Sequence, residues 1–245
     1  ATIVSLSVAC TSTSDEPTTS FITVEDGKFI RNGEPYYFVG TNFWYGAILG
    51  SEGEGGNRER LANELDFMKA NGIDNLRILV GGEGENGLLG KIEPNLQPEP
   101  GVYNDEVLAG LDYLMMELGK RDMTAVLYFN NAWEWSGGYT QYVAWANDTP
   151  VLVPRVDGWF SYNAFAGEFV RNERAKQIFY DHLRYIITRT NRYTGIKYID
   201  DPAIFSWQIC NEPRAFSSKE VDNKEAFAEW LATSAKLIRE LDPNH

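Results

Sequence analysis

Four short apolar runs, at residues 36–40, 76–80, 124–129 and 204–209, are each followed by a stretch of helical apolar spacing. Runs that are apolar on successive residues belong to strands buried on both faces, and amphipathic helices between them supply the cover. Such an alternation predicts a parallel sheet, as a doubly wound sheet or as a (β/α)8 barrel. The expected helices lie at 58–71, with Leu61, Leu65 and Met68 on one face and a stop at Asn71-Gly72, then around 104–120, in a stretch ending near 192, and around 223–241.

The unusual residues decide between the two sheets. Asn42-Phe43-Trp44, Arg77, Asn130-Asn131-Ala132-Trp133 and Asn211-Glu212 fall at or just past the ends of successive strands. In a barrel that is the face that carries chemistry. A doubly wound nucleotide binder would need a glycine-rich turn after its first strand, and none follows residue 40. The expected fold is therefore a (β/α)8 TIM barrel, of which this chain covers an N-terminal hairpin and the first four βα units. Four strands cannot close a barrel, so the chain is expected to be the N-terminal part of a longer protein.

Ahead of the first run, Asp26-Gly27 and Asn32-Gly33 separate short alternating strands, which reads as a hairpin plug. Residues 1–20 belong to neither element. The apolar start ends in Leu6-Ser7-Val8-Ala9-Cys10 and continues into a Ser/Thr/Pro-rich stretch. That predicts an export segment that resembles a lipobox, with a lipidated Cys10 as membrane tether, or else an ordinary signal remnant or disordered tag, and in either case a linker over residues 11–20. Residues 21–245 are expected to be the N-terminal part of the barrel domain, in an exported, extracellular or cell-surface lipoprotein.

Composition removes several classes of function. With 35 acidic against 22 basic residues the net charge is -13, which repels nucleic-acid phosphates, and no basic cluster offers an exception. Two cysteines, Cys10 and Cys210, and two histidines, His182 and His245, cannot build a metal site and are not expected to form a disulfide. No cofactor is expected. The chemistry falls to carboxylates or backbone.

Glu212 is the candidate acid/base. It ends an apolar strand, and Pro213 stops that strand from continuing as a ladder donor, which puts the carboxylate at the rim. Cleaving a glycosidic bond requires an acid to protonate the leaving oxygen and a second carboxylate to capture the oxocarbenium-like centre. Partial burial would keep such a glutamic acid protonated until needed. Asn211 beside it can bond a sugar hydroxyl. Trp44 and Trp133, on the same face, offer flat surfaces to the apolar C–H faces of sugar rings, whereas Trp207 and Trp230 read as core. Arg77 requires a carboxylate partner if buried: a nucleophile, or Glu83 or Glu85 in an interior ion pair.

The segments GTNFWYG (40–46), LRILVG (76–81), LQPEPGVYN (96–104), FNNAWEWSGG (129–138), TGIKYIDDPAIFSWQICNEPR (194–214) and LDPNH (241–245) together resemble the β-mannanase subfamily of glycoside hydrolase family five. The resemblance covers almost everything after Phe21. It implies retaining endo-hydrolysis of β-1,4 bonds in mannan, glucomannan or galactomannan, with Glu212 as acid/base, Asn211 as ligand of the sugar beside the cleaved bond and Arg77 near the nucleophile. Trp44 and Trp133 become candidate subsite platforms, and the nucleophile glutamate falls beyond His245. Two other readings stay open: an endo-β-1,4-glucanase on the same scaffold, and an inactive or carbohydrate-binding fragment.

Overall fold

The two turn dipeptides organise the chain's first ordered element in the computed structural model, which describes residues 20–245. The expected signal remnant, the expected lipid site at Cys10 and, Ser20 apart, the expected linker lie outside these residues. Asp26 and Gly27 (φ 49° and 73°), then Asn32 and Gly33 (φ 54° and 79°), take the left-handed conformations that tight hairpins require. They connect β1 (Thr23–Glu25), β2 (Lys28–Arg31) and β3 (Glu34–Pro35) into an antiparallel three-stranded sheet. Phe29 and Tyr36 from this hairpin, with Phe38, cluster on Phe205, so the hairpin closes off the strand most distant in sequence.

A second, wholly parallel sheet runs in the order β4 (Gly40–Asn42), β5 (Asn75–Leu79), β6 (Thr124–Tyr128) and β7 (Ile204–Gln208). Strand order follows chain order and every crossover carries helix, the arrangement of a partial (β/α) barrel. The covering elements are α1 (Gly46–Leu49), α2 (Arg58–Ala70), α3 (Asp105–Lys120), α4 (Gly138–Asn147), α5 (Pro154–Ala166), α6 (Glu173–Ile187) and α7 (Lys224–Leu241). The helices start where their caps dictate. Asn57, Asn104 and Asn172 accept backbone N–H groups of the first turns of α2, α3 and α6.

The elements depart from expectation in three places. The first parallel strand occupies 40–42, not 36–40: Tyr37 is 80 % exposed and Val39 61 %, so the aromatic run is an extended approach to the strand and not part of its core. The stretch up to residue 192 is three helices, because Pro154 opens a new helix after α4 ends at a left-handed Asp148. β7, expected to be buried in a closed barrel, has no neighbour beyond it among the described residues and is only half-buried past Ile204. Central β5 and β6 are the buried ones, and Leu76, Ile78, Ala125 and Leu127 are fully enclosed between sheet and helices. Trp230 fills the core as expected, and Trp207 stacks on Phe129 at 5.2 Å against it.

Candidate active site

The parallel strands deliver their C-terminal ends to one rim, and the loops that leave it hold the predicted residues. Beyond β6 and β7, Asn131 and Asn211 continue the parallel pairing as a last bridge, with Asn211 N donating to Asn130 O at 2.7 Å and Ala132 N to Asn211 O at 3.1 Å. The two loops thus leave the sheet in register. Side chains close the arrangement: Asn211 Nδ2 donates to Asn131 Oδ1 at 3.0 Å, and the same oxygen accepts Trp133 N at 3.2 Å.

Glu212 comes next. Its φ of 46° is left-handed, which is uncommon for a residue with a side chain and turns the chain sharply off the strand. Its carboxylate oxygen Oε2 accepts the indole N–H of Trp133 at 2.8 Å. Arg214 lies 3.7 Å from the same oxygen, and its guanidinium covers the Trp133 ring at 4.8 Å from the centroid. Among the described residues the Glu212 side chain is 57 % exposed.

Arg77 sits at the middle of β5 and not at its end, and its partners correct the expectation of a carboxylate. Nε donates to Gln208 Oε1 at 2.7 Å, Nη2 donates to Asn211 Oδ1 at 3.2 Å, and the guanidinium stacks on Tyr128 at 4.0 Å from the ring centre. Amides and an aromatic face hold the fork flat across three strands, and no carboxylate pairs with it among the described residues. Glu83, one of the two acids considered as its partner, is engaged elsewhere. A continuous bonded path through Asn131 therefore joins four of the five predicted residues, Arg77, Asn211, Trp133 and Glu212. Trp44 lies on the same rim through a different contact, edge to face with Trp135 at 5.5 Å.

Glu83 explains how the loop that carries Trp133 and Trp135 keeps its place. It is fully buried, and its Oε2 accepts Gly138 N at 3.0 Å while its Oε1 accepts the Tyr142 hydroxyl at 3.2 Å. Its own N–H donates to Ser136 O at 2.9 Å, and Ile92 N donates to Trp135 O at 2.8 Å. The loop after β5 is thereby sewn to the loop after β6. Gly137 allows the closeness: a Cβ there would stand 2.3 Å from Glu83 O, and its φ is 94°. Burial pushes the Glu83 carboxyl up to about 7 against the opposing hydrogen bonds and nearby Lys91. Burial likewise lowers Lys91 to about 8, against the attraction of Glu83 and Glu85.

Sequence reasoning passed over three residues of this face: Arg214, Glu83 as a loop anchor, and Trp159, which meets Trp133 edge to face at 6.0 Å. Arg214 stood inside the Asn-Glu-Pro-Arg string and could have been singled out as a charge next to a candidate acid. No local pattern marks Trp159. A groove of about 620 Å³ between β4 and α2, lined by Phe43, Tyr45, Asn63 and Phe67 among others, contains none of the residues of this site. His182 is buried with Nε2 on Val80 O at 2.9 Å and is lowered to about 4 by that burial, so it is a neutral packing residue. Among the described residues no group of three or more His, Cys, Asp or Glu is placed to hold a metal ion.

Comparison with known proteins returns one family. Residues 19–245 match the description "GH family 5 beta-mannosidase-like". A putative mannan endo-1,4-beta-mannosidase 9 of Oryza sativa subsp. japonica is 31 % identical over 218 residues, covering 89 % of this chain and 48 % of the relative. Mannan endo-1,4-beta-mannosidase 1 of Arabidopsis thaliana is 29 % identical over 228 residues, covering 93 % of this chain and 49 % of the relative. The chain spans about half the length of the curated relatives it matches. Among solved structures, a glycoside hydrolase family 5 mannosidase of Rhizomucor miehei, an alanine variant in complex with mannosyl-fructose, superimposes with a TM-score of 0.84 at 34 % identity, covering 93 % of this chain and 55 % of that one. The endo-1,4-beta-mannanase of the same organism superimposes with a TM-score of 0.71 at 25 % identity, covering 92 % and 59 %.

Proposed function

The chain belongs to the GH family 5 β-mannosidase-like family, and from that premise we propose that the whole protein hydrolyses internal β-1,4-mannosidic bonds of mannan, glucomannan or galactomannan with retention of configuration. The observation that carries the reading is the contact between the Trp133 indole N–H and the Glu212 carboxylate at 2.8 Å, at the C-terminal rim of the parallel sheet. It joins a flat apolar surface suited to a sugar ring directly to a group able to protonate the bond beside that sugar.

In this reading Glu212 donates its proton to the leaving oxygen and then, as carboxylate, takes one from the attacking water. The second carboxylate, supplied from beyond His245, captures the anomeric carbon. Trp133 fixes the orientation of Glu212, and Arg214 steadies Trp133 by lying over its ring. Asn211, itself held by Arg77 and Asn131, presents its amide to a hydroxyl of the sugar at the cleaved bond. Arg77, whose charge meets amides and Tyr128 among the described residues, is available to hold the nucleophile ionised. Residues 21–245 would form the first half of one catalytic domain, and the apolar start ending in Cys10 supports export as a membrane-tethered lipoprotein. Labelling with a radioactive fatty acid, lost in Cys10→Ser, tests that last point.

The test of the activity is hydrolysis of β-1,4-mannan by the full-length protein and its Glu212→Gln variant, with reducing ends and products followed over time. Mixed oligosaccharides from the parent, and a loss of about a thousandfold or more in the variant, are expected for an acid/base. Activity on carboxymethylcellulose in place of mannan would transfer the reading to a glucanase. The higher similarity to the R. miehei mannosidase than to its mannanase favours a second reading, removal of single mannose units from chain ends. Mannose as the only early product would establish it.

A further inference from the structure

The aromatic surface of this face continues past Trp133. Trp159 meets Trp133 edge to face, with centroids 6.0 Å apart and planes at 85°, and rests against Tyr162 at 5.7 Å and 82°. Tyr162 is itself fixed: fully buried, it donates its hydroxyl to Ala132 O at 2.8 Å, one residue before Trp133. Trp159 is therefore oriented by two neighbours that belong to the site, yet it is 56 % exposed. The backbone is arranged to put it there. Gly158 (φ 80°, ψ 152°) breaks α5, with no atom near enough to require a glycine for space, so the glycine answers to the turn itself. The chain makes one turn, closed by Asp157 Oδ2 accepting Val153 N at 2.8 Å, and restarts as helix at Trp159.

A large ring whose rotamer is settled before binding, and whose surface is still open to water, suits stacking, because little side-chain entropy remains to be lost when a ligand covers it. We infer that Trp159 is a sugar platform, binding a pyranose unit of a β-linked glycan chain one step further from Glu212 than the unit that stacks on Trp133. The inference rests on the glycosidase reading and deepens it: the site would recognise a chain over more units than the two flanking the cleaved bond. Continuity selects a glycan over a protein partner. Trp159 touches Trp133, and Trp133 touches the carboxylate, so whatever lies on Trp159 extends into the cleavage site. The two indoles, at right angles, form a corner around which the chain turns.

The experiment measures kcat/KM of the full-length protein, Trp159→Ala and Trp159→Phe on mannooligosaccharides from the triose to the hexaose. Losing one stacked ring is expected to lower the hexaose-to-triose ratio about tenfold in Trp159→Ala, through KM. Trp159→Phe, which keeps a flat ring, should recover most of it. A loss of equal size at every length would make Trp159 a prop for Trp133, and an unchanged ratio would make it a surface for something other than sugar. Either result overturns the inference. If the parent cleaves no mannooligosaccharide, the reading of function falls separately, and calorimetric binding of mannohexaose and cellohexaose decides the platform. Affinity for either that drops about tenfold in Trp159→Ala supports it; affinity indifferent to the substitution refutes it.

Discussion

Asp112 lies two turns into α3, its side chain fully enclosed, and ties that helix to the segment that feeds β7. Its carboxylate accepts from Arg189 Nε at 2.9 Å and Nη2 at 2.7 Å, from the Tyr198 hydroxyl at 2.7 Å, and from Arg192 through Nε at 3.2 Å and backbone N at 3.3 Å. Asp112→Ala leaves Arg189, whose side chain is 11 % exposed, buried without an anion, a defect that costs about 3–5 kcal/mol. The buried Tyr198 hydroxyl adds about 1–3 kcal/mol as an unpaired donor. Arg192, 35 % exposed, finds water and adds little. Allowing for some relaxation, the expected loss is about 5 kcal/mol. Asp112→Asn, which keeps one acceptor and the shape, should lose about half as much. Urea unfolding of the full-length protein, followed by tryptophan fluorescence with an unchanged slope, measures both. The double change Asp112→Leu with Arg189→Met should be milder than Asp112→Ala, because no charge is stranded. A loss below about 1 kcal/mol in Asp112→Ala, or a double variant worse than the single one, would refute this account of the node.

Two further outcomes follow from the site. Glu83 is raised in the folded state to about 7, so the stability it contributes is fully present below its ordinary value and is lost as pH rises through 7. Glu83→Gln should therefore flatten the decline in Tm between pH 5 and pH 7.5, and a decline as steep as the parent's would contradict the assignment. Trp133→Phe keeps a ring but removes the N–H that holds Glu212. We expect kcat/KM on mannan to fall roughly tenfold, the lower end for a hydrogen bond to a charged group because Glu212 is exposed; an unchanged value would mean that the indole bond has no part in orienting the acid.

What the sequence determined by itself was the local order of the chain. The period of its apolar residues named strands and helices, because a strand buried on both faces and a helix buried on one leave different spacings. Asp26-Gly27 and Asn32-Gly33 named their turns, because few residue pairs tolerate two positive φ values in succession. The position of Asn211-Glu212 after an apolar run placed it at the rim, where parallel connectivity brings every strand end together. The partners were another matter. Trp133 and Glu212 lie 79 residues apart, and Arg77 and Gln208 lie 131 apart. Whether they touch depends on the register of β5, β6 and β7, including a shift at Ala125/Val126. A slip of one residue in any strand would turn these side chains to the other face of the sheet. The burial of β7, the amide partners of Arg77, the loop anchor at Glu83 and the corner of Trp133 and Trp159 were all decided by the tertiary structure, since each is a contact between segments that carry no trace of one another.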